Sequence, residues 1–338
     1  MSSTTASSIR DLARSLGLSH TTVSQGLRNR PCVKLETRKR IQAAAQAAGY
    51  RSNVLTGVLM TGMRRRRGNA FSGMLAIIDI EGNSGSGGSL SQQRREMIEG
   101  ASERAIELGF VPRCFTIGSE GLSRQTYDVI LKSHDVCGVL ILPAADPAAA
   151  VGFDWSRYAV AYMDHVIAQA PFHCVCSDPR GAMRAALCGL REAGYRRPGL
   201  VLRESMEKHL LGHWADAYRD CLNGDAGAPV LLAPKTKGRS FSNWFAQHNP
   251  DVVLSCDVAV MEWMRACGAK IPESHGFFCI NKASDADCAG FDGQPRLVGA
   301  RGIEQVIAQL LRYEFGRPSF PLSTIVPGLW VDGPTIRK

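Results

Sequence analysis

Ser19, His20, Thr21, Thr22, Ser24, Gln25 and Arg28 stand within ten positions, and each can donate or accept hydrogen bonds. The chemistry open to such a run is recognition, provided that one surface presents it. A helix from about His20 to Leu27 would bury only Val23 and Leu27, leaving the polar residues largely outward. Ser19 stands where a side-chain oxygen would cap that helix. Catalytic patterns are weaker. Gly85 to Ser89 is glycine-rich but lacks both G-x-G-x-x-G and a following Lys-Ser/Thr. His209 and His213 have a zinc-like i, i+4 spacing without the Glu of H-E-x-x-H, and no G-x-S-x-G occurs. The chain is therefore read as no enzyme, with no cofactor and no metal.

The recognition run needs a scaffold. Ile9, Leu12, Ala13 and Leu16 form one helical stripe, which Gly17 ends by taking the left-handed conformation at little cost. A third helix, about Thr37 to Ala48, would pack Ile41, Ala44, Ala45 and Ala48 and expose Arg38, Lys39 and Arg40. Two helices joined by a short turn, the second capped and polar outside, describe a helix-turn-helix. Charge supports this. Residues 1–68 hold thirteen Lys or Arg against Asp11 and Glu36, a formal +11. The whole chain carries +9, which leaves −2 for residues 69–338. A basic head on a nearly neutral body suits a phosphate-contacting module, with double-stranded DNA as the expected partner.

The run I-R-D-L-A-R-S-L-G-L-S-H-T-T-V-S, followed by T-R-K-R-I, G-Y-R-S-N and Leu59, resembles the DNA-binding head of the LacI family of bacterial transcription regulators. The resemblance implies that the helix starting near His20 enters the major groove, with His20, Thr21 and Gln25 at base-reading positions. It places Ser19, Thr22 and Ser24 nearer the phosphates, and adds Arg28 and Asn53 to the DNA-contacting set. It also implies a hinge that becomes helical on operator DNA, with Thr56 at a small-residue position and Leu59 as a wedge in the minor groove. Three residues depart from the family pattern. Gln25 replaces a usual Arg, and Gln pairs with adenine where Arg suits guanine. Ser52 replaces a Pro, and Lys34 replaces a Ser cap on the third helix.

Residues 1–7 are read as a disordered tail, 8–52 as the helix-turn-helix domain, 53–71 as hinge helix and basic linker, and 72–338 as the effector-binding and dimerisation domain. The tail has no apolar signal-peptide core and no stretch approaches a membrane span, so the expectation is a cytoplasmic protein, nucleoid-associated when on DNA, with no membrane partner. The eleven cysteines, an odd number without C-x-x-C, read as small buried hydrophobes rather than disulfides. Arg64 to Arg67 are solvated linker or extra phosphate contacts.

From Gly73 onward short apolar runs (74–80, 136–142, 159–163, 199–202, 252–255, 276–280 and 325–330) alternate with amphipathic helices at 94–108, 181–193 and 300–313. Such alternation means parallel sheets with covered faces, and some 270 residues suggest two lobes. The fold class expected is a small all-α helix-turn-helix domain followed by two doubly wound parallel-sheet lobes. Lobe one is placed at about 72–174 plus 300–316, and lobe two at 175–299 plus 317–338. The resemblance implies the fold of type I periplasmic sugar-binding proteins and a homodimer on a pseudo-palindromic operator, with a small-molecule effector, a carbohydrate by preference, between the lobes. Strand ends nominate Asp79, Glu81, Asp164, Asp257 and Asn281 for the cleft, a further late-chain loop adds Asp292, and the resemblance puts His209 and His213 near the place of a ligand-clamping Arg. Trp214 and Trp263 are core residues or sugar-stacking rings. Cys256 and Asn281 depart from the family's polar set, which leaves a non-sugar effector, or none, as the alternative.

Overall fold

The computed structural model of the chain describes residues 9–27, 33–48, 73–80, 89–116, 129–131, 133–143, 154–163, 172–204, 213–222, 228–233, 238–282 and 286–337. Head and core are separate units.

The head has three helices, α1 (Ile9–Leu16), α2 (His20–Leu27) and α3 (Leu35–Ala47). Their apolar stripes meet in a core of Leu12, Ala13, Val23, Val33, Ile41 and Ala45. In α2 it is Gly26 that is buried beside Val23, while Leu27, expected inside, is only partly so. The third helix starts two residues before the expected Thr37. Its N-cap Lys34 makes no side-chain cap bond, as the departure at that position implied.

The core holds two six-stranded sheets. Strands β1 (Met74–Asp79), β2 (Val111–Thr116), β3 (Val136–Ile141), β4 (Ala159–Met163), β5 (His173–Ser177) and β11 (Ser323–Val326) form the first, in the order β11-β5-β4-β3-β1-β2. Every pairing in it is parallel. The second is β12-β10-β9-β8-β6-β7, from β6 (Pro198–Arg203), β7 (Leu231–Ala233), β8 (Val252–Ser255), β9 (Gly276–Cys279), β10 (Gly290–Asp292) and β12 (Leu329–Val331). It is parallel except where β12 runs antiparallel to β10. The helices are α4 (Ser89–Glu107), α5 (Pro179–Glu192), α6 (His213–Leu222), α7 (Gly238–His248), α8 (Val260–Ala266) and α9 (Pro295–Arg312).

Burial follows the period of two expected of strands covered on both faces. Leu200, Leu202, Val252, Leu254 and Phe278 pack on one side of the second sheet with Met183, Leu187 and Leu190 of α5. Val201, Val253 and Phe277 face the other side, against Phe241, Trp244, Val260 and Met264. Helix α9 lies on the first sheet, where Gly302 admits Leu140 and Met163.

Three expectations are corrected. The run 325–330 is not one strand. Pro327 has no N–H to continue a ladder, and at Gly328 the chain passes close to Phe291 and the Asp292 carbonyl, so β11 and β12 fall in different sheets. Consequently 323–326, placed in lobe two by sequence, completes the first sheet, which also keeps β5 up to Ser177. Asp292, expected in a loop, ends strand β10.

Candidate nucleic-acid interface and inter-lobe cleft

The turn before α2 is built from local bonds. Gly17, at φ 65°, lets the Leu18 N–H reach the Ala13 carbonyl at 3.0 Å and its own N–H reach Arg14 at 3.3 Å, closing α1. Ser19 Oγ accepts from the Thr22 N–H at 3.0 Å and lies 2.8 Å from Thr22 Oγ1. The cap expected of Ser19 is thus formed, and Thr22 shares in it. At Gly26 the backbone of α2 sits against Ile41 of α3, where a Cβ would fall 2.4 Å from Ile41 Cδ1. This close seat turns the opposite side of α2 outward. His20 and Thr21 are exposed, and Thr22, Ser24 and Gln25 are half-exposed. Arg40 donates to the Leu16 carbonyl at 2.8 Å, tying α3 to the C-terminus of α1, where a cation is favourable. Arg28, Asn53, Thr56, Leu59 and the Arg64–Arg67 run lie outside the described residues.

In the core, the strand order reverses between β1 and β3 in the first sheet and between β6 and β8 in the second. Clefts of open α/β sheets form at such points, beyond the carboxyl ends of the strands. Each point carries an Arg–Asp pair. Asp79, ending β1, is 3.1 Å from Arg94 of α4, which also donates to the Pro143 carbonyl beyond β3 at 2.8 Å. Arg203, ending β6, holds Asp257 beyond β8 through Nε at 2.7 Å and a terminal nitrogen at 2.5 Å. The other Asp257 oxygen accepts from the Ala259 N–H at 3.1 Å, and the Asp257 N–H donates to Ser255 Oγ.

The remaining described candidates are also engaged. Asn281, just past β9, exchanges two hydrogen bonds with Gln93 of α4, on the other lobe. Asp292 accepts the Gln294 N–H at 2.7 Å, and Gln294 bonds the Pro327 carbonyl, linking two of the segments that cross between sheets. A small cavity of about 20 Å³ opens there, lined by Ser177, Asp178, Trp214, Asn281, Phe291 and Gly328 among others. Trp214 is buried in the second lobe's core and Trp263 packs against Phe241. Glu81, Asp164 and His209 lie outside the described residues. So does the side chain of His213, which opens α6. Gln93 and Arg94 were missed by sequence reasoning. They sit in an unremarkable polar stretch, Gln92 to Arg95, and no local spacing links them to Asp79 or Asn281.

Among the described residues no three His, Cys, Asp or Glu cluster to hold a metal, and no helix is long and apolar enough to cross a membrane. None of the ten described cysteines is joined in a disulfide.

Residues 8–53 match the family model described as bacterial regulatory proteins, lacI family. Over these residues the head is a lacI-family helix-turn-helix domain. No curated protein matches the sequence. Solved structures of lacI-family regulators do match along nearly the whole chain. The transcriptional regulator CelR in complex with cellobiose is 17% identical, with 97% of this chain and 99% of that one covered and a TM-score of 0.61. The lac repressor dimer bound to operator and the anti-inducer ONPF is 15% identical, at 98% and 99% coverage and a TM-score of 0.58. A LacI-family regulator from Silicibacter pomeroyi is 19% identical, at 98% and 99% coverage and a TM-score of 0.54. At these identities the likeness is one of fold: a lacI-type head followed by two periplasmic-binding-protein-like lobes.

Proposed function

We propose that the protein is a sequence-specific transcription regulator, a repressor, that binds a pseudo-palindromic operator as a homodimer and responds to a small molecule held between its lobes. The observation that carries this reading is α2: capped by Ser19, seated on α3 through Gly26, and presenting His20, Thr21 and Gln25 from a strongly basic head. Two such helices in successive major grooves would read two half-sites, and Leu59 of each hinge would unstack the step between them. Ser19, Thr22, Ser24, Arg28, Asn53 and Thr56 complete the contact set. In this reading residues 8–52 are the DNA-binding domain, 53–71 the hinge and linker, and 72–338 the effector domain of a cytoplasmic protein.

A carbohydrate is the first effector class to try, since cellobiose and ribose occupy structures of the same fold. One observation favours the second reading, a non-sugar effector or none. Asp79, Asp257, Asn281 and Asp292, the acceptors a sugar would use, each already have a partner within the protein. A thermal-shift screen separates the two. A sugar that binds the native state raises the melting temperature, and a panel that moves nothing removes the carbohydrate reading.

The regulator reading itself is tested by selecting duplexes from a random DNA library with the full chain at physiological salt. An enriched inverted repeat with a deformable central step is expected. Salt-sensitive binding without enrichment would overturn sequence-specific regulation and leave the head as an electrostatic anchor.

A further inference from the structure

Gln93 and Asn281 lie 188 residues apart, one on α4 over the first sheet and the other at the carboxyl end of β9 in the second. Gln93 Nε2 donates to Asn281 Oδ1 at 2.7 Å, and Asn281 Nδ2 donates to Gln93 Oε1 at 3.1 Å. Each carboxamide thus spends one donor and one acceptor on the other. Gln93 is buried, so solvent competes poorly for these bonds.

The helix that carries Gln93 is rigidly placed. At Gly100 a Cβ would fall 2.0 Å from the Arg296 carbonyl oxygen, and at Gly299 equally close to that of Met97, so α4 and α9 touch backbone to backbone. Arg296 also pairs with Glu99 and Glu103. Helix α9 begins three residues after β10 ends, so α4 is anchored beside a segment that crosses between the lobes. Asn281 reaches the same junction from the other side, lining the cavity with Ser177 and Phe291.

We propose that Gln93 and Asn281 are an inter-lobe latch that holds the two lobes together with no small molecule bound. The residue type at 281 is part of the device. An Asp there would still accept from Gln93 Nε2, but its second oxygen would face Gln93 Oε1, acceptor against acceptor. The Asn that departs from the family pattern is the residue that makes the pairing reciprocal. A ligand entering at this junction has to displace the latch, so Gln93 becomes a lobe-one determinant of which ligands enter.

The test uses the full chain without DNA or added ligand, so its outcome is separable from that of the operator reading. Hydrogen exchange in peptides covering 89–97 and 276–294, with small-angle scattering, is compared for wild type, Asn281→Asp, Gln93→Ala and the double variant. The nearly isosteric Asn281→Asp preserves the fold, as circular dichroism would check. Each single change is expected to speed exchange in both peptides about tenfold and to raise the radius of gyration, with the double variant no worse than either. Adding Gln93→Lys to Asn281→Asp, an ion pair in place of the amides, is expected to restore slow exchange. Single variants that exchange and scatter as wild type, or a double variant whose effects simply add, would overturn the latch.

Discussion

At position 25 stands Gln, an amide where the resemblance leads one to expect a guanidinium, and in the proposed function half-site choice turns on that exchange. Gln makes its bidentate contact with adenine N6 and N7, whereas Arg makes its own with guanine O6 and N7. Gln25→Arg is expected to move the base preferred at one position of each half-site toward guanine, by about 1–3 kcal/mol of discrimination. The readout is repeated library selection; an unchanged site would take Gln25 out of base reading. Leu59→Ala is expected to weaken operator binding far more than binding to random duplex, because only the specific complex is kinked by the wedge. Equal losses on both DNAs would mean that Leu59 does not intercalate. What the sequence disclosed at this scale was local. Ser19 could be read as a cap because its partner is three residues away, and Gly17 as a helix end because a left-handed residue suffices. The engagement of Asn281 by Gln93, or of Asp257 by Arg203 54 residues earlier, exists only once the sheets are assembled. Strand ends therefore nominated residues for the cleft without revealing that these were already engaged within the protein.

Among the elements, the α4–α9 crossing sets the strictest steric condition. Gly100→Ala would drive a methyl group into the Arg296 carbonyl, which is backbone and cannot rotate away. A loss of about 1–3 kcal/mol is expected, read as a melting temperature several degrees lower. The same crossing carries a titratable contact. Burial alone would raise the Glu304 carboxyl, but hydrogen bonds from Arg301 and Arg104 outweigh it and hold the group below its ordinary value. A carboxyl lowered by folding stabilises the protein above its unfolded-state value and loses that contribution as pH falls through its native one. The melting-temperature gap between wild type and Glu304→Gln should therefore be steady near neutrality and shrink on acidification below about pH 4.5. Elements that bury long apolar runs, such as β1, β3, β4 and β8, were evident in the sequence. Others were not. The exposed edge strand β2 carries Pro112 and Arg113, and β7 and β10 are three residues each, too short for any period to show. The one apolar run at 325–330 concealed two strands because hydrophobicity says nothing about which sheet a strand joins.

For the whole molecule, the formal +11 of residues 1–68 against −2 for the rest concentrates the positive charge in the first fifth of the sequence. Operator affinity should fall linearly in log–log form with salt, at a slope near −0.9 for each phosphate neutralised. A titration between about 50 and 200 mM salt checks this, and a flat line would mean that the basic head does not meet the DNA backbone. The route of the chain through the two lobes has a further consequence. Segment 178–292 builds most of the second lobe and is inserted within the first, whose last strand pairs Cys174 with Ser323. Strands β11 and β12 then finish the two sheets within nine residues of each other. During synthesis on the ribosome, neither lobe can acquire its full set of strands until residues 323–331 have emerged, so both are sealed nearly together and late. A premature stop codon shortly before Ser323 would remove both strands at once, leaving β5 and β10 each without a neighbour on one side and neither lobe complete.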